Sequence, residues 1–263
     1  MAIIDDAAQA LASHRLNPER RDPLPPEWRP RSEADGYAIQ SALHERLCQH
    51  GLGPVAGYKI GCTTDVMQRF LDIDHPCAGA IHASRIYVGD TRFRFDDFAR
   101  IGVECEIAVR IATTPQPPFS IERLSATIGE YRASLELVDD RYHDYKSLDA
   151  ATLIADDFFQ SALVLAPNGF APDHAELAGG VENLRAMGRI NQTIVGEGTS
   201  RDILGHPLNA LAWLAEHLAD QNHALTPGTW ITLGSMVETQ WLAAGDCIEV
   251  EVEHLGRVSA TFV

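Results

Sequence analysis

Glu104 and Glu106 stand two residues apart inside "IGVECEIAVRIA" (residues 101–112), a run that is otherwise small, β-branched and aliphatic. Side chains alternate along a strand, so the two carboxylates share one face. A buried carboxylate is costly to desolvate, and a like charge beside it raises the cost. Either that face is wet or a positive group sits in front of it. Glutamates at alternate positions are the usual mark of a solvated strand face, and "IEVEVEH" near the C-terminus reads that way. A third carboxylate, Glu136, lies in another apolar segment, "ASLELVDDRYHD". Three carboxylates on two neighbouring strands make a facial oxygen-ligand set of the kind hard divalent cations such as Mg²⁺ prefer. The set holds neither His nor Cys, which disfavours zinc. Cys105, between the glutamates, points to the opposite face and into the core. "GYKIGCTT" places Lys59 between Gly57 and Gly61 and just ahead of Thr63. The glycines let a ligand or backbone approach, and a half-buried lysine there can bind a carboxylate or act as an acid. A surface lysine whose stem covers apolar area would look the same in sequence.

These groups need strands to position them. "VAGYKIGCT", "IGVECEIAVRIA", "ASLELVD" and "DCIEVEVEHLGRVSATFV" carry β-branched residues and alternation. Helical stretches lie between them, including "SIERLSATIGEYR" and "PLNALAWLAEHLADQN". Residues 1–53 read as an N-terminal helical region. "NPERRDPLPPEWRPRS" interrupts it, and a second helix runs from the cap Ser32 to Gly51 with Ala34, Tyr37, Ala38, Leu43 and Leu47 as its apolar stripe. Residues 54–263 are expected to form a strand-rich domain that carries these groups. The pattern predicts an α+β fold with a mixed, mainly antiparallel sheet core and helices outside it.

The 263 residues carry a formal net charge of −16, which argues against nucleic acid or an anionic membrane as partner. No apolar run is long enough to span a bilayer and no signal-peptide pattern is present. Five scattered cysteines without a CxxC pair fit reduced thiols and a cytoplasmic setting.

In order and spacing, "GYAIQSAL", "GYKIGCTTDVMQRFL", "GVECEIAV", "SLELVDDRYHDYKSLDAATLIADDFFQSALVLA" and "GEGTSRDILGHPLNALAWLAEHLADQNHALTPGTWITLGSM" resemble the 2-keto-4-pentenoate hydratase branch of the fumarylacetoacetate hydrolase superfamily. The resemblance spans almost the whole chain. It implies a rolled β-sheet domain, Mg²⁺ or Mn²⁺ held by Glu104, Glu106 and Glu136, and a 2-oxo acid or 2-hydroxydienoic acid substrate. It further implies hydration of a 2-hydroxy-2,4-dienoate in aromatic catabolism, with Lys59 as active-site lysine; Gly61, Thr63 and Phe158, the last within a departure from the family pattern, are expected at the substrate. A homo-oligomer is expected, and association with a related decarboxylase. Decarboxylation of an oxalocrotonate-like diacid, C–C hydrolysis of an acylpyruvate, and a silent partner subunit are the alternatives. The chain departs from its relatives at "DHPCAG", where Cys77 and Ala78 replace the acidic and aromatic residues of a "PDYG"-like turn. His75 or His82 is the candidate replacement acid. "IADDFFQS" is a second departure, with Asp156 expected to hydrogen-bond near the metal or lysine.

Overall fold

The computed structural model describes residues 2–177 and 180–263. Two helices come first, α1 (Ala2–Leu16) and α2 (Glu33–Leu47). Ser32 caps α2 by accepting from the Asp35 N–H. The buried face of α2 is Gly36, Ile39, Gln40, Leu43 and Leu47, with Ala34 exposed, so the stripe lies about one residue round from the one read in the sequence. Gly51 and Gly53, both at positive φ, end the helical region.

The sheets then begin, with β1 (Val55–Gly61), α3 (Asp65–Leu71), β2 (Cys77–His82), β3 (Ile86–Val88) and β4 (Thr91–Phe93). Two long strands follow, β5 (Ile101–Ile111) and β6 (Ile128–Asp139), joined through the short helix α4 (Ile121–Ser125). The sequence reading carried this helix through "IGEYR", but Ile128 already opens β6, where β-branched and aromatic side chains alternate into the core. After these come α5 (Ala150–Ala155), β7 (Gln160–Leu165), β8 (Arg185–Ile190), β9 (Thr193–Thr199) and α6 (Pro207–Asp220). The chain closes with β10 (Trp230–Ser235), β11 (Gln240–Trp241), β12 (Cys247–Val252) and β13 (Gly256–Phe262).

An eight-stranded sheet runs β2-β1-β10-β5-β6-β7-β3, with β11 also on β5, and a five-stranded sheet runs β4-β13-β12-β8-β9. Both are mixed. β1 is parallel to β10, β3 to β7 and β4 to β13, while the remaining pairs are antiparallel. One face of the large sheet (Ile107, Leu135) packs with the small sheet (Val250, Phe262) and α6 (Leu211, Leu214) in a single apolar core. That arrangement leaves the opposite face of β1, β10, β5 and β6 to carry the polar residues. The two N-terminal helices pack on each other and against Ala155.

Candidate active site

β5 and β6 pair in register, Glu104 opposite Glu136 and Glu106 opposite Ser134, so the three glutamates project from one face of adjoining strands. Each of the three offers an oxygen within 4.8 Å of the others. Glu106 and Glu136 are fully buried, and Glu104 is partly so. Lys59 comes from β1, two strands beyond β5, and its stem carries the ammonium to 3.2 Å from Glu136 Oε1. Burial alone would strip that charge. Glu136, Glu104 and Glu106 outweigh the burial and hold the Lys59 pKa above its ordinary value.

The carboxylates are fixed from the side. Thr239 Oγ1 donates to Glu104 Oε1 at 2.6 Å. The Gly234 N–H donates to Glu106 Oε2 at 2.8 Å. Gly234 sits at φ 115°, in the bulge where the β10–β5 register shifts, and a Cβ there would run into Thr63. Thr63 is therefore the packing partner that seats the glycine turn. What remains is less well satisfied: Glu106 Oε1 and Glu136 Oε2 are buried without a hydrogen-bond partner among the described residues, and Glu136 Oε1 has the Lys59 ammonium beside it. Burial, then Glu136 and Glu104, raise the Glu106 pKa well above its ordinary value. Burial pushes Glu136 up to about 7, against the pull of Lys59. Orphaned buried carboxylate oxygens converging on one point fit a hard divalent cation, which would complete their coordination.

Beside Lys59 the wall is apolar. The Phe158 ring centroid is 5.9 Å from Lys59 Nζ. A Cβ on Gly61 would be 3.5 Å from Nζ and 3.9 Å from the Phe158 ring, so Gly61 keeps open the space between them. Cys77 pairs with Gly61 across β1 and β2 and is fully buried. Its thiol hydrogen-bonds Cys62, and this contact together with burial pushes its pKa far up. Cys62, Leu71, Cys77, Phe158 and Phe159 belong to one apolar cluster.

Lys59, Gly61, Thr63, Phe158 and the three glutamates thus come together, while three other expected residues lie apart from them. Asp156 does not turn toward Lys59, because Arg15 (3.1 Å) and Arg141 (3.0 Å) hold its two oxygens. Its neighbour Asp157 takes the place beside the lysine stem, packed against Gly79. His75 pairs with Glu33 at 3.2 Å and stacks on Trp213, in an outer cleft of about 670 Å³ between α2 and α6. His82 is buried with its Nδ1 on the Gly53 carbonyl. Thr239, Gly234, Asp157 and Arg15 were not found by sequence reasoning. Only "ADD" hinted at one of them, through the second aspartate of the pair.

A two-sheet roll that presents three convergent carboxylates beside a buried lysine has the makings of a site for an oxygen-ligated divalent cation. The chain belongs to the fumarylacetoacetate hydrolase family, whose C-terminal region, "Fumarylacetoacetate (FAA) hydrolase C-terminal", matches residues 76–263. It is 28% identical over 238 residues to 4-oxalocrotonate decarboxylase of Pseudomonas putida, covering 88% of this chain and 85% of that one. It is also 28% identical over 229 residues to 2-keto-4-pentenoate hydratase of Burkholderia vietnamiensis (strain G4 / LMG 22486), covering 86% and 84%. The solved 4-oxalocrotonate decarboxylase from Pseudomonas putida G7, complexed with magnesium and adipate, superposes with a TM-score of 0.91 at 22% identity, covering 99% and 97%. The rolled, mixed-sheet fold read from the sequence is that of these relatives. Among the described residues no helix is long and apolar enough to cross a membrane.

Proposed function

We propose that this chain is a divalent-metal-dependent hydratase that adds water to a 2-hydroxy-2,4-dienoate, giving a 4-hydroxy-2-oxo acid, in the breakdown of aromatic compounds. The observation that carries the reading is the set of orphaned, buried oxygens on Glu106 and Glu136, facing Glu104 and the Lys59 ammonium. Glu104, Glu106 and Glu136 would hold Mg²⁺ or Mn²⁺. Once bound, the cation supplies Lewis-acid stabilisation of the negative charge that develops on a 2-oxo acid.

Lys59 keeps its proton in the buried site and is placed either to pair with the substrate carboxylate or to pass that proton during ketonisation. Phe158, Cys77 and Leu71 give the conjugated tail an apolar wall. Asp156 acts through Arg15 and Arg141 rather than on the substrate. His75, bound to Glu33, stands outside the wall, so the proton transfers are assigned to Lys59.

Decarboxylation of an oxalocrotonate-like diacid is the second reading, favoured by equal identity to a relative of that name. The apolar wall favours the hydratase. A second carboxylate on the substrate would meet Phe158 and Cys77, and the nearby Arg15 and Arg141 are already committed to Asp156 and Asp157. The test is to incubate the Mg²⁺-loaded protein with 2-hydroxypenta-2,4-dienoate, 4-oxalocrotonate and an acylpyruvate, following loss of the enol absorbance and release of CO₂. The expected result is loss with the dienoate, a 4-hydroxy-2-oxo acid product and no CO₂. CO₂ from oxalocrotonate would establish the decarboxylase, cleavage of the acylpyruvate the hydrolase, and no turnover of any would leave the partner-subunit role.

A further inference from the structure

Asp157, Phe158 and Phe159 have φ values of 51°, 48° and 67°. Three consecutive non-glycine residues in the left-handed region form a strained turn, which persists only when its surroundings over-determine it. The surroundings here come from the N-terminal helices. Arg15, on α1, directs all three guanidinium nitrogens at the turn. Its Nε donates to Asp156 Oδ1 at 3.1 Å, and Nη1 pairs with Asp157 Oδ2 at 2.9 Å. Its Nη2 donates to the Asp156 and Gln160 carbonyls at 3.0 and 3.1 Å, one on each side of the turn. His44 of α2 and the Ala80 N–H of β2 hold the other oxygen of Asp157, at 2.8 and 3.0 Å. The side chains of Arg15, Asp156 and Asp157 are 7%, 1% and 0% exposed.

The turn leans directly on the site. A Cβ on Gly79 would lie 2.9 Å from the Asp157 carbonyl oxygen and 3.1 Å from Lys59 Cγ, so the missing side chain lets the turn press against the lysine stem. The Phe158 ring lies across from Gly61, where a Cβ would be in ordinary contact at 3.9 Å. A buried ion-pair cluster is poor evidence for added stability, whereas a planar five-donor fork is well suited to fixing one backbone geometry.

We propose that Arg15 is a positioning residue of the active site: by gripping the carbonyls and carboxylates that flank the left-handed turn, it fixes Phe158 against Lys59 and so shapes the pocket for the tail of the substrate. This rests on the reading of the glutamate triad as the metal site of a 2-oxo acid enzyme. Arg15 touches neither the triad nor Lys59 in the contacts of the site, so its effect passes through the turn.

The test is a double-mutant cycle on the Mn²⁺-loaded protein, with 2-oxopentanoate, a saturated acid that does not react, as the ligand. Electron paramagnetic resonance reads Mn²⁺ uptake and ligand binding, and circular dichroism reads the fold. Arg15→Ala and Phe158→Ala are each expected to weaken 2-oxopentanoate about tenfold, and the double variant no more than either single one, because both act through the same wall. Mn²⁺ affinity is expected to stay within about twofold of wild type in all three. If Arg15→Ala does not fold, Arg15→Lys, which keeps the charge but not the fork, replaces it in the cycle with the same expectation. Wild-type ligand affinity in the arginine variant, or single losses that multiply in the double variant, would overturn the proposal. Wild-type protein that takes up Mn²⁺ but not 2-oxopentanoate would instead overturn the underlying reading of the site.

Discussion

Glu104 differs from its two partners in being held by a neutral hydroxyl. Thr239 Oγ1 holds one of its oxygens at 2.6 Å, whereas Glu136 faces only Lys59 and Glu106 only a backbone N–H. Donors behind a ligating carboxylate orient it, and their loss typically costs 10–100-fold in metal affinity. Thr239→Val, which keeps the shape and removes the hydroxyl, is expected to weaken Mn²⁺ by about tenfold in a direct titration with little change in unfolding temperature. Unchanged affinity would show that Glu104 is oriented by the strand alone. At this scale the sequence was informative wherever side-chain parity decides the matter. Glu104, Glu106 and Glu136 share a face because β5 and β6 are regular there. Thr239 gave no such signal, since it reaches Glu104 from the loop before β11, across 135 residues.

Among the elements, the turn at 157–159 connects the helical N-terminus to the sheet. Burial raises the pKa of Asp157, but His44, Arg15 and the Ala80 N–H together hold it below the ordinary carboxylate range. A carboxyl whose pKa is depressed by folding stabilises the protein above its unfolded pKa, near 4, and that stability is lost as the pH falls through the folded value. Asp157→Asn is therefore expected to be less stable than wild type by about 3 kcal/mol at pH 6, with the gap closing toward pH 3. Denaturant unfolding at the two pH values measures it, and a gap independent of pH would remove the ionised Asp157 from the clamp. Nothing in the sequence signals the turn at Asp157, because left-handed turns are normally announced by Gly or Asn, and "DDFF" has neither. Nor could it link Arg15 to Asp156 across 141 residues. The over-long helix at "SIERLSATIGEYR" has a local cause, since its apolar spacing suits a helix as well as a strand edge, and pairing with Ile111 decides for the strand.

For the molecule as a whole, the charge distribution bears on how a protein of net charge −16 would receive the anionic substrate proposed for it. Lys59 is one of only two lysines in the chain and is almost wholly buried, and the cations nearest the turn are bound to aspartates. In the proposed function a substrate carboxylate would meet positive charge at Lys59 and at the cation the glutamates would hold. The family, the roll and the triad were legible because periodicity and motif order survive in one sequence. The N-terminal region looked like an appendage to the catalytic domain. In the structure it contributes Arg15 and His44 to the support of the site, through contacts too distant in sequence to leave a pattern.

Whether Glu104, Glu106 and Glu136 form a divalent-cation site is decided by a titration of Mn²⁺ into the metal-free protein. One saturable site per chain is predicted in the wild type, with binding lost in Glu136→Gln at unchanged circular dichroism. No saturable site in the wild type, or full Mn²⁺ affinity in the Gln variant, would rule out the three glutamates as a divalent-cation site.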